Sequence, residues 1–131
     1  MIQGHGDDLY KYNKVEINFS TNIFNHFNHS ALFAYLAGRL PRITSYPEPE
    51  PLTLERALAK RLDVEPENVI ATNGATEAIY LIAQCFKDGD AHIVQPTFAE
   101  YADACRLHGC NVKTIASPGE DNGFKAGDTV W

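Results

Sequence analysis

The rhythm of apolar segments from residue 69 onward constrains the fold more than any other feature of the sequence. Runs of four residues that are typical of buried strands begin at Val69, Ala91 and Val112. Two stretches with apolar residues at helical spacing lie between these runs, and Gly89 and Gly109 mark where the two helices stop. Strand, helix, strand, helix, strand in this order indicates parallel strands joined by crossover helices. The predicted fold class is α/β: the start of a mostly parallel sheet with flanking helices.

The region ahead of this pattern has a different character. It is polar, rich in Asn and His, and shows a strand-like pattern only at Val15–Phe19. Ser30 is expected to cap a helix that ends before Pro41. We therefore expect an extended N-terminal arm and helix over residues 1–45, followed by part of a larger domain over residues 46–131.

Composition excludes several classes of function. The chain of 131 residues has a formal net charge of −6 at pH 7, whereas a general nucleic-acid binder would carry a basic stripe. Its apolar runs are much shorter than the roughly 20 residues that cross a membrane. No basic residue precedes an apolar stretch at the N-terminus, as a secretory signal would require. We expect a cytoplasmic protein that binds neither nucleic acid nor membrane.

The chain has three cysteines, Cys85, Cys105 and Cys110. An odd number of cysteines in a chain that is expected to be intracellular favours reduced thiols over disulfides. Cys105, His108 and Cys110 are close in sequence, but they straddle a predicted helix end and no second pair of ligands completes a tetrahedral site. We therefore expect no metal site.

The turn Thr72–Glu77 has the pattern of an anion site. It leads from a predicted strand into a helix, and ligands of open parallel sheets bind outside the carboxyl ends of the strands. Gly74 lets the backbone approach a ligand closely. The N–H groups of Ala75 and Thr76, with the Thr76 hydroxyl, can bind a phosphate. An ordinary tight helix start is the alternative that the spacing leaves open.

The next turn of this kind, Gln95–Tyr101, offers an aromatic ring. Phe98 is placed to lie over a planar heteroaromatic ligand whose phosphate is bound by the neighbouring turn. A core position or a contact at the helix entry is the alternative for this ring. Tyr101, one turn further, is expected to pack on the sheet.

Four motifs carry a resemblance to a known family: Phe19–Asn22, Tyr46–Pro49, Asn73–Glu77 and Pro96–Tyr101. In this order and spacing they resemble the class I/II pyridoxal-phosphate aminotransferases of fold type I. The resemblance is closest to the branch that contains threonine-phosphate decarboxylase and histidinol-phosphate aminotransferase. The start Gly4–Asp7 favours the decarboxylase of cobalamin synthesis.

The resemblance implies a cofactor-binding role for five residues. Gly74, Ala75 and Thr76 would bind the phosphate of pyridoxal 5′-phosphate, and Phe98 would stack on its pyridine ring. Tyr46, at the start of a proline-rich connector, would reach the phosphate in the other subunit's site, which implies a homodimer.

The resemblance also implies two substrate contacts. Asn22 would face the substrate carboxylate, and His5 would contact a substrate phosphate in the decarboxylase branch. For His5, a solvated or merely hydrogen-bonded ring is the alternative.

Some residues that the family would require are not among these 131. An Asn-Pro-x-x-Pro-Thr-Gly segment would follow a strand like the one that begins at Thr129, with a Schiff-base lysine further on. Lys87, Lys113 and Lys125 match no family lysine. Because pyridoxal chemistry needs that amine, we expect no catalytic residue here and no activity from this chain alone. The expectation is the N-terminal part of an enzyme whose substrate is a small phosphorylated amino acid or amino alcohol.

Alternatives to the decarboxylase stay open. One is a histidinol-phosphate aminotransferase or a related aminotransferase. Another, from a different class, is a non-catalytic module for phosphate-ligand binding or assembly. The third is an unrelated α/β nucleotide binder.

Overall fold

The computed structural model describes residues 9–19, 23, 27–116 and 123–131. Its contacts divide the chain into two units, of which Gly6–Ala71 forms the first and Thr72–Trp131 lies in the second. The expected domain boundary after residue 45 stays a prediction.

The first unit is helical in its described part. It contains helices α1 (Ser30–Ala37) and α2 (Leu52–Leu62). Three short 3₁₀ helices accompany them, at Leu9–Lys11, Leu40–Thr44 and Pro66–Asn68. Among the described residues of this unit, Ala59 on α2 is buried, at 1% exposure.

The strand expected at Val15–Phe19 does not form. Ile17 is 72% exposed and Phe19 is 94% exposed. A strand needs a neighbour that supplies ladder hydrogen bonds, and the described strands all lie in the second unit.

The starts of both helices use side-chain acceptors from the preceding loop. Asn28 Oδ1 accepts from the Ser30 N–H at 3.0 Å, so Asn28 rather than Ser30 supplies the acceptor at the start of α1. Glu48 accepts from the N–H and the hydroxyl of Thr53, at 3.1 Å each. Its negative charge suits the amino end of α2.

A three-stranded parallel sheet organises the second unit. β1 (Asp90–Val94) is the central strand, and β2 (Asn111–Ile115) and β3 (Thr129–Val130) pair with it on either side. α3 (Ala75–Cys85) precedes β1, and α4 (Ala99–Leu107) connects β1 to β2. The two helices pack against each other. The predicted α/β class is confirmed.

The prediction of a first strand at Val69–Thr72 is wrong. Val69 is extended, with φ −123° and ψ 130°, but Ile70 is 70% exposed. The described strands pair only with one another, so this apolar segment receives no ladder.

The core of the second unit lies between the sheet and the two helices. Its buried residues are Ile79, Ala83, Ala91, Ile93, Ala102, Ala104, Cys105 and Cys110. The middle residues of β1 are buried on both faces, as expected for a central parallel strand. Within the described ranges, no helix has the length and apolar character needed to cross a membrane.

Candidate functional site

Two hydrogen bonds close the turn ahead of α3. The Gly74 N–H donates to the Thr72 carbonyl at 2.8 Å, and the Thr72 hydroxyl donates to the Gly74 carbonyl at 3.0 Å. Gly74 has φ 87° and ψ 170°, a conformation that glycine adopts without steric penalty. The backbone therefore bends sharply at Gly74 and enters the helix at Ala75.

The amino end of α3 presents exposed hydrogen-bond donors. Gly74 is its N-cap residue, and among the described residues no side chain caps this end. The N–H groups of Ala75 and Thr76 belong to the first turn, which has no intrahelical acceptors for them. A Cβ placed on Gly74 would meet nothing within 4 Å. The exposed N–H groups can donate to a phosphate, the positive end of the helix dipole favours its charge, and the open space at Gly74 leaves room for it.

Glu77 is a residue of this turn whose role the sequence did not reveal. Its carboxylate, in the first turn of α3, accepts a hydrogen bond from the Asn73 N–H. Glu77 lies three residues after the N-cap residue Gly74, where a capping box has its Glu, and this spacing is the signal that could have identified it, although its bond goes to Asn73 and not to Gly74. Its charge stabilises the helix end but opposes an anion beside it.

Phe98 is the residue directly before α4, with φ −64° and ψ 129°. The residue is 44% exposed. Its ring packs edge-on against Tyr101, with centroids 6.0 Å apart and planes at 87°. Tyr101 in turn stacks on Trp131, with centroids 5.2 Å apart and planes at 26°. The rings of Tyr101 and Trp131 thus support Phe98 from one side, and part of the Phe98 surface stays exposed.

The turn at Gly74 and the turn at Phe98 lie at the same edge of the sheet. α3 ends shortly before the amino end of β1, and α4 begins shortly after its carboxyl end at Val94. Both helices therefore run antiparallel to β1, and they pack side by side. Each begins at the carboxyl edge of the sheet, where ligands of such folds bind.

A hydrogen bond joins the two helices. The Tyr80 hydroxyl on α3 donates to Glu100 Oε2 in the first turn of α4, at 3.0 Å. Glu100 is 2% exposed. This hydrogen bond, followed by burial and the charge of Glu100, raises the pKa of Tyr80 above its usual value. The sequence pattern assigns no role to either residue, although Glu100 lies four residues before the buried Ala104 and so on the core face of α4.

The resemblance implies roles for three further residues, Tyr46, His5 and Asn22. Tyr46 belongs to the first unit, where its side chain is fully exposed beside a depression that Arg42 and Ile43 help to line. Its contribution to a partner's site stays a prediction. His5 and Asn22 lie outside the described residues.

A charged cluster occupies the amino end of β1. One carboxylate oxygen each of Asp90 and Asp128 and one ring nitrogen of His92 lie within 4.8 Å of one another. The Lys113 ammonium binds Asp90 at 2.5 Å, and the Asn111 side chain donates to the same carboxylate at 2.8 Å. These hydrogen bonds lower the pKa of Asp90, that from Lys113 most. Lys113, which matched no family lysine, thus forms an ion pair with Asp90.

The three cysteines are free thiols, with Cys85 exposed and Cys105 and Cys110 buried. Burial is the main cause that raises the pKa of Cys105 to about 11, and the neighbouring Cys110 adds to it. Cys110 donates to the Phe86 carbonyl at 3.5 Å. The two buried thiols therefore act as small core residues.

Comparison with known proteins places this geometry in a family. The family model described as aminotransferase class I and II matches residues 14–127. Threonine-phosphate decarboxylase from Salmonella typhimurium is 32% identical over 114 residues, which cover 87% of this chain and 31% of the relative. Histidinol-phosphate aminotransferase from Francisella philomiragia is 38% identical over 80 residues, which cover 59% of this chain and 22% of the relative.

A solved structure agrees with these relatives. The crystal structure of L-threonine-O-3-phosphate decarboxylase from Porphyromonas gingivalis superposes with a TM-score of 0.71 at 39% identity, covering 81% of this chain and 34% of that chain. The present chain thus spans about a third or less of the length of these relatives. Because the family model covers most of the sequence, the family expected from the four motifs is confirmed: this chain belongs to the class I and II aminotransferases.

Proposed function

We propose that this chain supplies the phosphate-binding and ring-binding turns of a pyridoxal-phosphate enzyme, most similar to the threonine-phosphate decarboxylase of cobalamin synthesis. The observation that carries the proposal is the uncapped start of α3, with open space at Gly74, on the same edge of the sheet as the half-exposed Phe98. The substrate would be a small phosphorylated amino acid or amino alcohol.

The residues at the two turns fit the cofactor. The N–H groups of Ala75 and Thr76 and the Thr76 hydroxyl would bind its phosphate, while Gly74 leaves room for close approach. Phe98 would lie against one face of the pyridine ring and restrict water on that face. When bound, pyridoxal phosphate supplies an electron sink for the bond that breaks at the substrate's α carbon.

Further contacts in this proposal come from Tyr46, Asn22 and His5. Tyr46 of a second subunit would complete the phosphate site of a homodimer in the cytoplasm. Asn22 would orient the substrate carboxylate and His5 its phosphate. The amine that the chemistry requires is not supplied by Lys113, whose ammonium is bound to Asp90.

Coverage favours the decarboxylase over the aminotransferase. The two decarboxylases reported above match 87% and 81% of this chain, whereas the histidinol-phosphate aminotransferases match between 53% and 77% of it. Histidinol-phosphate aminotransferase is therefore the second candidate. The two can be separated with the full-length protein and threonine phosphate. Release of carbon dioxide without a keto acid acceptor is expected, whereas amino transfer from histidinol phosphate to a keto acid, without that release, would favour the second candidate.

Binding by the chain itself can be tested by calorimetry with pyridoxine 5′-phosphate, which lacks the aldehyde and so forms no imine with surface lysines. Pyridoxine, without the phosphate, is the matched ligand. We expect the phosphorylated ligand to bind more tightly because the turn at Gly74 recognises its phosphate. Equal affinity for the two ligands would contradict the proposed phosphate site. Phosphate-dependent binding without carbon dioxide release or amino transfer by the full-length protein would instead favour a non-catalytic module.

A further inference from the structure

We propose that Tyr80 and Glu100 form a positioning pair, which sets the distance between the phosphate-binding turn at Gly74 and the ring of Phe98. The proposal rests on the proposed function, because it assigns both turns to one ligand. It adds two residues that touch neither end of that ligand and act through the helices that carry the turns.

Glu100 is an unusual residue for a buried position because its side chain is ionisable. It is 2% exposed, and the core beside it consists of residues such as Ala102, Ala104 and Cys105. A carboxyl group in such surroundings is costly unless it is hydrogen-bonded. The Tyr80 hydroxyl at 3.0 Å supplies one bond, and the amino end of α4 favours the negative charge. An apolar residue at this position would pack without that requirement, so the carboxylate serves the hydrogen bond between the helices.

The pair is close to both turns. Glu100 lies in the first turn of α4, directly after Phe98 and Ala99. Tyr80 lies about one and a half turns into α3, and helical side chains lean toward the amino end of their helix. The hydroxyl therefore reaches back toward the edge of the sheet where both turns lie. Only rigid helical backbone separates the hydrogen bond from Gly74 on one side and from Phe98 on the other.

Tyr80 also contacts the far end of α4. Its ring meets the His108 ring edge-on, with centroids 6.5 Å apart and planes at 75°. The ring thus packs near the last turn of α4, while the hydroxyl binds the first turn. Tyr80→Phe would keep the packing and remove only the bond near Phe98, so the variant isolates the positioning role.

The consequence concerns ligands that touch both turns at once. Such a ligand gains affinity when the turns are held at the separation that it needs, because no binding energy is spent on moving α4. A ligand that touches only the turn at Gly74 gains nothing from the pair. Pyridoxine 5′-phosphate is the first kind of ligand and inorganic phosphate is the second.

The test compares these two ligands by calorimetry on the unmodified chain, Tyr80→Phe and Glu100→Gln. We expect Tyr80→Phe to weaken pyridoxine 5′-phosphate binding roughly three- to tenfold, and to leave inorganic phosphate binding unchanged. Glu100→Gln keeps an acceptor for the Tyr80 hydroxyl and should retain most of the affinity. Tyr12→Phe, at an exposed tyrosine of the first unit, is the control and should behave as the unmodified chain.

A second readout needs no ligand. Trp131 is the only tryptophan of the chain and stacks on Tyr101, next to Phe98. A shift of α4 in Tyr80→Phe should change the emission of Trp131, whereas Tyr12→Phe should not.

Two results would overturn the positioning role. One is equal weakening of both ligands in Tyr80→Phe, as expected of a merely structural role. The other is unchanged affinity for both ligands together with unchanged Trp131 emission. Failure of the unmodified chain to bind pyridoxine 5′-phosphate more tightly than inorganic phosphate is a different result. It would contradict the proposed function, and the positioning role with it.

Discussion

The buried ring of His92 holds its Nε2 3.1 Å from Asp128 Oδ2, which links the central strand to the residue directly before β3. The same carboxylate oxygen accepts from the Lys125 N–H at 2.9 Å. His92 is 2% exposed, and its Nδ1 has no partner among the described residues. Asp128 therefore provides the hydrogen bond on which this buried imidazole depends.

Replacing that carboxylate should destabilise the second unit. Asp128→Ala would leave both nitrogens of a buried imidazole without a partner, at a cost of about 1–3 kcal/mol in the free energy of unfolding. Urea denaturation measures this loss. The control is Asp103→Ala, which removes an ion pair with the 64% exposed Arg106 and should cost less than about 1 kcal/mol. Equal losses of unfolding free energy in the two variants would show that the hydrogen bond to His92 stabilises the fold no more than an exposed ion pair does.

A methyl group at Gly74 should strain the turn ahead of α3. Gly74→Ala forces an L-residue to φ 87° and ψ 170°, at a cost of roughly 1–3 kcal/mol in the free energy of unfolding, and should also weaken pyridoxine 5′-phosphate binding. Gly38→Ala is the matched control because Gly38 has φ −67°, and its Cβ would meet only ordinary contacts at 3.6 Å. Denaturation and calorimetry should leave Gly38→Ala as stable as the unmodified chain or more so. A Gly74→Ala variant that is equally stable would contradict the assigned backbone conformation.

Removing the charge of Glu77 should strengthen anion binding at the same turn. Glu77→Gln keeps an acceptor for the Asn73 N–H but deletes a negative charge beside the proposed phosphate site. We expect a lower dissociation constant for inorganic phosphate, measured by calorimetry at low ionic strength, and a smaller difference at high salt because the charges are then screened. Glu67→Gln, in the first unit, is the control for a general change in net charge. Unchanged phosphate affinity in Glu77→Gln would mean that the phosphate does not bind at this turn.

The ion pair of Asp90 predicts a dependence of stability on acid. Its folded pKa is lower than the usual 3.8, with the Lys113 hydrogen bond as the main cause. The stabilisation is therefore complete above the usual pKa and is lost as the pH falls through the lowered value. Thermal unfolding between neutral pH and pH 3 should show a steeper fall of the melting temperature for the unmodified chain than for Asp90→Asn. Parallel curves would contradict the shift.

The three thiols should separate by reactivity. Burial raises the pKa of Cys105 to about 11, so little thiolate forms near neutral pH, whereas Cys85 is exposed. A chromogenic disulfide reagent should modify one thiol rapidly in the folded chain and all three after denaturation. Cys85→Ser should abolish the rapid phase. A rapid phase that persists in Cys85→Ser would mean that Cys105 or Cys110 is accessible.

The sequence predicted the second unit well where both faces of an element are buried. The run that became β1 is apolar apart from His92, and the helices on either side have clear stops, so their order required no tertiary information. Val69–Thr72 has the same local pattern and still forms no strand, because a ladder partner is not encoded locally. The same reason explains the absence of a strand at Val15–Phe19.

The polar contacts were the harder part to predict. Glu100 meets Tyr80 across 20 residues of sequence, and His92 meets Asp128 across 36. Local spacing revealed the turn at Gly74 because its donors belong to consecutive residues. It could not reveal partners that only the packing of helices and strands brings together.

Gly74 combines a positive φ with open space where a side chain would begin. The restriction at this position is thus one of handedness and not of volume. A D-alanine, whose preferred φ is positive, would satisfy the backbone and still leave the turn uncrowded. Among the genetically encoded residues, glycine is the one that meets this requirement without strain.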